Sequence, residues 1–292
     1  MPFTNKHNLP QGIYEALCHD TYDGVKDDPK NISVSGLLNP PLVRQLWQRH
    51  ANEVQQDAID MVWSVLGRAV HEVLDGISGE GRIKEERFEI EIDGMKLTGK
   101  PDIFNISSGI IEDYKITSAW SLVFAGEEGK TEWEQQLNCY AYLLRKKGYQ
   151  VNGLRIIAIL RDWTQYQANQ DEGYPQSPVM VIQMRDWGEA EEERYIKERT
   201  ALHSLANAQG IAEISPCTSK ERWETPTKYA VKRKDQKKAV KLFDDKAQAE
   251  AFLTYSKDSA LFIEERAGVS KRCLNYCPVA KFCPLGSQLM AG

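Results

Sequence analysis

The chain has 292 residues, of which 41% are hydrophobic and 27% are charged, a composition typical of soluble globular proteins. No apolar run approaches the roughly 20 residues that a membrane-spanning helix needs, and the first residues contain no apolar signal core, so we expect a cytoplasmic protein with no membrane partner. The formal net charge of −5 argues against a general polyanion binder, although it is compatible with a local basic groove.

The first 32 residues are predicted to form a polar, irregular arm. Prolines and glycines interrupt it and leave room for one short helix around Ile13–Cys18. Cys18 and His19 are adjacent and could form a pair of metal ligands, but an isolated pair is a weak signal. We expect the main domain to cover residues 33–210 and a C-terminal region to cover residues 211–292.

The clearest helix is predicted over residues 54–75. Its apolar residues recur at three- and four-residue spacing, and Gly76 ends it. His71 lies on this helix, where a lone histidine is more often a packing residue than a ligand. If the helix crosses the sheet edge near Asp102, His71 becomes a third metal ligand.

Two aspartates lie on neighbouring predicted strands. The first strand follows Gly99-Lys100-Pro101-Asp102, a turn follows at Ser107-Ser108-Gly109, and the second strand contains Asp113-Tyr114-Lys115. Neighbouring strands lie about 4.8 Å apart, so the two carboxylates can meet at one point. Lys115 shares a face with Asp113, and Tyr114 points to the other face. Two carboxylates with an ammonium group beside them make a site for a hard cation and its bound water.

The alternative is a solvated ion pair between Asp113 and Lys115, which is the common role of an Asp-x-Lys sequence on a strand. The apolar run Gly109-Ile110-Ile111 lies directly before Asp113 and predicts a strand that enters the core. A surface ion pair does not need that context, so we favour the cation site.

A helix is predicted from Thr131 to Lys147, with Gln136 and Tyr140 four residues apart on one face. The simplest interpretation is that these two polar residues lie beside the buried face of a core helix and have no further role. The elements predicted next are a strand over residues 154–160, a polar loop over 165–176, a strand over 179–182 and a charged helix over 188–206.

The C-terminal region contains a predicted basic hairpin. Residues 228–231 and 239–243 flank a turn at Asp235-Gln236, and one acid faces seven bases: Lys228, Lys232, Arg233, Lys234, Lys237, Lys238 and Lys241. A charge run is usually a solvated face, but this one is uneven for an acidic protein. Lys232, Arg233 and Lys234 are therefore candidates for substrate binding. A final helix is predicted from Lys246 to Glu265.

Three of the six cysteines close the chain as Cys273-x3-Cys277-x5-Cys283. Without an export signal, this clustering favours metal or cluster ligation over a disulfide framework. Four thiolates suit either a [4Fe–4S] cluster or a zinc ion. Cys217 is preferred to Cys18 as the fourth ligand because its Pro216-Cys217 turn opens the same C-terminal segment.

The ordered set of motifs resembles the PD-(D/E)xK nuclease superfamily, in particular its RecB-like, lambda-type exonuclease branch with phage-type members. The set consists of His71, Glu85-Glu86, Gly99-Lys100-Pro101-Asp102, Asp113-Tyr114-Lys115 and Gln136-x3-Tyr140, and it spans residues 33–165. The last three cysteines resemble the iron–sulfur staple of AddB-type and CRISPR-adaptation nucleases. In those proteins the first gap is usually x2, and an upstream cysteine is present that residues 38–42 of this chain lack.

The resemblance implies an α/β fold with a restriction-endonuclease-like core, in which a central mixed β-sheet is flanked by helices, and a cysteine-stapled C-terminal appendage. It implies that Asp102 and Asp113 bind Mg²⁺ or Mn²⁺, with His71 and the Tyr114 carbonyl completing the ligands. Lys115 would orient or deprotonate the attacking water, and Gln136 and Tyr140 would hold either the substrate strand or Lys115. Glu86 is a candidate either to support the metal ligands from behind or to bind a second metal, and Glu85 competes with it for that role. The resemblance favours an iron–sulfur cluster over zinc at the cysteines.

The predicted function is a divalent-metal-dependent DNA exonuclease in phage DNA recombination, repair or replication, acting on DNA ends in the host cytoplasm and working with a recombination or replication protein. One alternative is a DNA-end or replication-associated binding protein that uses the nuclease fold as a scaffold. Another is a structure-specific or sequence-specific endonuclease. The sequence shows no base-reading element that would favour sequence specificity.

Overall fold

A computed structural model of the chain describes residues 3–19, 28–76, 81–84, 86–124 and 130–291. Glu85, one of the candidates for a second metal, lies outside the described residues. The chain divides into two compact units, Met1–Ile214 and Ser215–Gly292. The predicted division at residue 210 lies four residues before this boundary. Among the described residues, no helix combines the length and apolar composition that crossing a bilayer requires.

The first unit holds strands β1–β10 and helices α1–α8. In chain order these are β1 (Phe3–Thr4), α1 (Gln11–Cys18), β2 (Asn31–Ser33), α2 (Val34–Leu38), α3 (Pro41–Arg49), β3 (Gln56–Asp57), a 3-10 helix (Ala58–Met61), α4 (Val62–Asp75), β4 (Arg82–Lys84), β5 (Phe88–Ile92), β6 (Met95–Gly99), β7 (Ile103–Asn105), β8 (Ile110–Thr117), α5 (Ala119–Val123), α6 (Thr131–Lys146), β9 (Gly153–Leu160), α7 (Gln165–Gln170), β10 (Val179–Met184), α8 (Glu189–Ala208) and a 3-10 helix (Ile211–Glu213).

The central sheet of the first unit has the strand order β10-β9-β8-β7-β4. Strands β8 and β9 are parallel, and the other neighbours are antiparallel. Every second residue of β9, from Leu154 to Leu160, is buried, so one face of this strand enters the core. Helix α6 packs against this sheet and contributes much of the core. The predicted mixed sheet flanked by helices is confirmed.

A second sheet has the strand order β2-β6-β5, and its strand β6 ends at Gly99, directly before Lys100-Pro101-Asp102. Strands β5 and β6 form the hairpin that turns at Asp93-Gly94, where both residues have positive φ angles of 49° and 79°. Gly99 ends β6 against helix α6, where a Cβ atom would collide with the side chain of Leu143. The absence of a side chain at Gly99 therefore allows the close approach that sets the position of the following Lys100-Pro101-Asp102 segment.

Two predictions about secondary structure in the first unit need correction. The helix predicted over residues 54–75 begins later, because Ala58–Met61 is a 3-10 helix and the α-helix starts at Val62. The loop predicted over residues 165–176 contains helix α7. The hydroxyl of Thr164 accepts a hydrogen bond from the Gln167 N–H and caps this helix, a local signal that outweighs its polar composition.

The described residues of the second unit form a three-stranded sheet, β12-β11-β13, three α-helices and one 3-10 helix. Its elements are β11 (Lys228–Arg233), β12 (Ala239–Phe243), α9 (Lys246–Ser256), β13 (Leu261–Arg266), α10 (Lys271–Asn275), a 3-10 helix (Ala280–Phe282) and α11 (Pro284–Ala291). The predicted helix from Lys246 to Glu265 is wrong beyond Ser256. Lys257 has a left-handed backbone with φ 53°, which ends the helix, and Leu261–Arg266 pairs with β11 instead.

Helix α8 buries one histidine, His203, which is 0% exposed. Its Nε2 lies 3.1 Å from the carbonyl oxygen of Leu37 and donates to it, and no described residue forms a hydrogen bond with Nδ1. Burial lowers the pKa of His203 to about 4, and the positive charges of Arg199 and Arg44 contribute to this. The imidazole therefore stays neutral in the folded state.

We expect His203 to make the folded state less stable as the pH falls from about 6.5 to about 4. In this window the unfolded chain binds a proton at His203 that the folded chain excludes, so protonation favours unfolding by up to about 3 kcal/mol. His203→Gln cannot titrate and keeps an amide donor for Leu37. Urea unfolding at pH 7.5 and pH 4.5 should show a smaller loss of stability in this variant than in the wild type, and equal losses would contradict the expectation.

Candidate active site

Strand pairing brings Asp102 and Asp113 together. Ile103 at the start of β7 pairs with Glu112 of β8, so Asp102 lies beside Asp113 at the next step of the antiparallel ladder. The backbone N–H of Tyr114 donates to Asp102 Oδ2 at 2.7 Å and fixes this carboxylate against β8. The structure thus places the two aspartates as neighbours.

Asp113 is a buried carboxylate without hydrogen bonds from the described residues. Its side chain is 1% exposed, and neither of its oxygens has a hydrogen-bond partner there. Lys115 Nζ lies 2.7 Å from Asp113 Oδ2, so the two opposite charges are close although their geometry is not that of a hydrogen bond. A buried carboxylate with unsatisfied oxygens is energetically costly unless another group binds them. These oxygens are therefore free to act as ligands of a cation.

Burial and the negative charge of Asp113 raise the pKa of Asp102 to about 7. His71, the Tyr114 N–H and Lys115 act in the opposite direction and lower this pKa. His71 reaches the site from α4, and its Nδ1 lies 3.4 Å from Asp102 Oδ1. Two adjacent carboxylates that oppose each other's ionisation form a local negative charge that a divalent cation would neutralise.

Lys115 is held by a second polar chain that starts on α6. Its Nζ donates to Gln136 Oε1 at 2.9 Å, and Gln136 Nε2 donates to the Tyr140 hydroxyl oxygen at 3.0 Å. Burial, followed by the charge of Asp113, raises the pKa of Tyr140, so its hydroxyl remains protonated. Of the two roles predicted for Gln136 and Tyr140, the structure places them where they hold Lys115.

The donor types at this site fit a hard divalent cation: the carboxylates of Asp102 and Asp113, the second with both oxygens unsatisfied, and the imidazole of His71. As the side chains stand, no three His, Cys, Asp or Glu residues among those described are arranged to hold a metal ion. Asp102 instead accepts from Tyr114 and faces His71. Glu86 is exposed and lies two residues before the start of β5.

The cysteines of the C-terminal region lie near one another in the second unit. Cys217, Cys273, Cys277 and Cys283 interact electrostatically, and burial raises the pKa of Cys217 to about 12 and also raises those of Cys273 and Cys277. All six cysteines of the chain are free thiols. Cys18, the alternative fourth ligand, lies in α1 of the first unit. As their side chains stand, no three of these four thiols are close enough together to hold a metal ion, which is true of every group of His, Cys, Asp and Glu among the described residues.

The basic hairpin carries fewer available charges than its sequence indicates. Lys232 pairs with Glu264 of β13 at 2.8 Å. Arg233 lies 3.4 Å from Asp235 and 3.6 Å from Asp258. Two of these three acids, Asp258 and Glu264, lie in the segment 246–265 that was predicted to be helical. The exposed bases at the turn are Lys234, Lys237 and Lys238.

Comparisons with known proteins show what this chain is similar to. The sequence model of the PD-(D/E)XK nuclease superfamily matches residues 39–284. A search of curated proteins gives no match. Solved structures with similar folds include that of SSO0001, at 18% identity over 65% of this chain and 82% of the other, with a TM-score of 0.39. A phage related exonuclease from Haemophilus somnus 129PT is 19% identical over 70% and 81% of the two chains, with a TM-score of 0.31. An alkaline exonuclease (LHK-Exo) from Laribacter hongkongensis is 14% identical over 60% and 89%, with a TM-score of 0.35.

Proposed function

We propose that this chain, which belongs to the PD-(D/E)XK nuclease superfamily, is a divalent-metal-dependent DNA exonuclease. The observation that carries the proposal is the buried Asp113 carboxylate, whose oxygens lack hydrogen bonds from the described residues and lie beside Asp102 and Lys115. A surface ion pair would not bury one partner to 1% exposure. A role in phage DNA recombination, repair or replication, with a protein partner from those processes, rests on the sequence resemblance alone.

Asp102 and Asp113 would hold Mg²⁺ or Mn²⁺, with His71 and the Tyr114 carbonyl as further ligands. A cation bound there would neutralise phosphate charge and lower the pKa of its bound water. Lys115 stands next to Asp113 on the same strand face, where its ammonium group can orient the attacking water and offset the charge that develops on the phosphate. Gln136 positions Lys115, and Tyr140 positions Gln136.

The test uses end-labelled linear DNA and circular DNA, each single- and double-stranded, with Mg²⁺ or Mn²⁺ and with excess EDTA. An exonuclease degrades the linear molecules and leaves the circles intact. Cleavage of circles would identify an endonuclease. Binding without cleavage would favour the alternative of a DNA-end binding protein on a nuclease scaffold. Undiminished cleavage in EDTA would overturn the assignment of a metal site.

We also propose that the basic hairpin contacts DNA phosphates. Because Lys232 and Arg233 are paired with acids, the exposed turn residues are expected to contribute more. Neutralising Lys234, Lys237 and Lys238 together should lower the slope of log affinity against log salt by about 0.7 to 0.9 per lost phosphate contact. Neutralising Lys232 and Arg233 is the matched comparison, with a smaller expected effect. An unchanged slope in both would show that the hairpin is a solvated face.

The remaining proposal is that Cys217, Cys273, Cys277 and Cys283 hold a structural [4Fe–4S] cluster or a zinc ion. Its support is their proximity in one unit and the partial burial of Cys217, Cys273 and Cys277, which raises the pKa of each of these three thiols. Iron or zinc is expected in freshly prepared anaerobic protein. Cys273→Ser should lower the thermal stability more than it lowers DNA cleavage, and the matched control Cys139→Ser alters a buried thiol outside the cluster. If neither metal is found, the ligand assignment is wrong.

A further inference from the structure

Aromatic and basic side chains gather at the carboxyl ends of β8 and β9, and we call Trp63, Trp120, Lys130 and Arg161 the aromatic–basic cluster. The Arg161 guanidinium lies over the Trp63 ring, 4.1 Å from its centroid. Trp63 is 52% exposed and Trp120 is 41% exposed. The edge of Trp120 packs on the buried Tyr174, with the ring centroids 5.5 Å apart, so this indole is held in place while it faces solvent.

The two cations of the cluster flank the end of the strand that carries the candidate active site. Thr117 is the last residue of β8 and shares a face with Asp113 and Lys115. Lys130 Nζ donates to Thr117 Oγ1 at 3.4 Å, and the backbone N–H of Arg161 donates to the Thr117 carbonyl oxygen at 3.0 Å. The cluster therefore begins about 7 Å along β8 from Lys115.

The aromatic members are tied to the same end of the sheet. Trp63 lies on α4 eight residues before His71, which corresponds to about 12 Å along the helix axis. Trp120 lies on α5, whose first N–H, that of Ala119, donates to Asp162 Oδ1 at 2.7 Å. Arg161 and Asp162 thus connect both indoles to the end of β9. Both indoles are therefore anchored at the end of the strand pair whose β8 carries Asp113 and Lys115.

The electrostatics favour an anionic ligand at this place. Burial lowers the pKa of Lys130, the negative charge of Glu132 raises it, and the positive charge of Arg161 lowers it by less than Glu132 raises it. A phosphate that binds between or beside two neighbouring cations relieves their mutual repulsion and so is bound more favourably. Exposed indoles add a surface on which unpaired bases stack regardless of their sequence. A fully paired duplex offers its base faces only at its ends.

We propose that the aromatic–basic cluster binds the unpaired nucleotides next to the scissile phosphate, with a base stacked on Trp63 and phosphates at Arg161 and Lys130. The substrate class is therefore single-stranded DNA or a duplex with a frayed end. This inference deepens the proposed nuclease function and rests on it. Trp63 and Arg161 set strand preference and lie outside the set of residues that hold Lys115 or the two carboxylates.

The test is fluorescence anisotropy with labelled single-stranded oligonucleotides in EDTA, where binding is measured without cleavage. One oligonucleotide carries normal bases, and another of the same length carries abasic residues. Trp63→Ala should weaken binding of the base-bearing strand about 5- to 100-fold and change binding of the abasic strand little. Trp63→Tyr keeps a ring for stacking and should retain most of the affinity. Arg161→Gln should weaken both and lower the salt slope by about 0.7.

The matched control is Trp223→Ala in the second unit. Trp223 is 46% exposed, and Arg272 lies over its ring at 5.7 Å, so it has the same kind of neighbour as Trp63. Equal weakening by Trp63→Ala and Trp223→Ala would overturn the proposal, because any exposed indole would then suffice. Unchanged affinity in Trp63→Ala would also overturn the proposal and would favour a protein partner for the cluster. Equal losses of affinity for the base-bearing and the abasic oligonucleotide would overturn it too, because the effect of Trp63 would then not depend on bases.

The same experiment separates this proposal from the proposed function. If the wild type degrades DNA with Mg²⁺ or Mn²⁺ but Trp63→Ala binds both strands like the wild type, the cluster assignment fails and the nuclease assignment stands. If base-dependent binding through Trp63 is present but no DNA is cleaved with either metal, the nuclease assignment fails and the stacking site stands.

Discussion

Replacing Asp113 by asparagine is expected to lower metal-dependent DNA hydrolysis by about three orders of magnitude or more. The amide has one oxygen and no charge, so it cannot match the carboxylate as a ligand of Mg²⁺ or Mn²⁺. The substitution keeps the shape of a side chain that is 1% exposed, so the fold should survive. Initial rates on linear DNA over a range of metal concentrations measure the effect.

Glu112→Gln is the matched control for this experiment. Glu112 is the residue before Asp113 on the same strand, but its side chain lies on the opposite face and accepts a hydrogen bond from Arg155 Nε at 2.7 Å. Removing its charge should leave the rate of hydrolysis within a few-fold of the wild type. If both variants lose activity equally, the loss reflects damage to β8 and gives no support to Asp113 as a ligand.

A binding measurement makes the expectation independent of catalysis. A ligand that binds only the folded state at 100 times its Kd stabilises that state by about 2.7 kcal/mol. Wild-type protein should therefore unfold at a higher temperature in Mg²⁺ or Mn²⁺ than in EDTA, and Asp113→Asn should lose most of this shift. A metal-dependent shift of equal size in the variant would mean that the cation binds elsewhere.

The part of the site that the sequence predicts is the part built from local pattern. A strand, a turn at Ser107-Ser108-Gly109 and a second strand with period two predict that Asp102 lies beside Asp113. The structure pairs the two strands, with Ile103 opposite Glu112 one step away. Gln136 and Tyr140 follow in the same way from the four-residue period of a helix. The unsatisfied oxygens of Asp113 do not follow from any local pattern, because they depend on which side chains fail to reach them after folding.

The errors have physical reasons of the same kind. The segment Leu261–Arg266 has a composition that suits a helix, but its pairing with β11 and the left-handed Lys257 make it a strand. That strand supplies Glu264 to Lys232, which the sequence of the hairpin alone could not show. Trp63 and Arg161 are nearly a hundred residues apart, so their stacking is a product of tertiary structure. The sequence does show that Arg161 directly follows the apolar run of β9, and the structure makes that strand parallel to β8.

Lys115→Ala is expected to lower the rate of hydrolysis by about two to four orders of magnitude, the range for a group that assists proton transfer or stabilises developing charge. In contrast to Asp113→Asn, it should retain the metal-dependent rise in unfolding temperature, because the carboxylates remain. DNA binding in EDTA should change little. Loss of the thermal shift in Lys115→Ala would contradict the separation of roles between Lys115 and the two aspartates.

Gln136→Ala and Tyr140→Phe test how Lys115 is positioned. Gln136 contacts Lys115 Nζ at 2.9 Å, and Tyr140 contacts Gln136, so neither needs to touch DNA. Both variants should therefore lower kcat and leave KM nearly unchanged, with the smaller effect in Tyr140→Phe because one more bond separates it from Lys115. A rise in KM with unchanged kcat would mean that Gln136 binds the substrate strand. The same geometry explains why the pair lies four residues apart on α6: one turn of helix brings the Tyr140 hydroxyl beside the Gln136 amide, whose other end reaches Lys115 on the central strand β8.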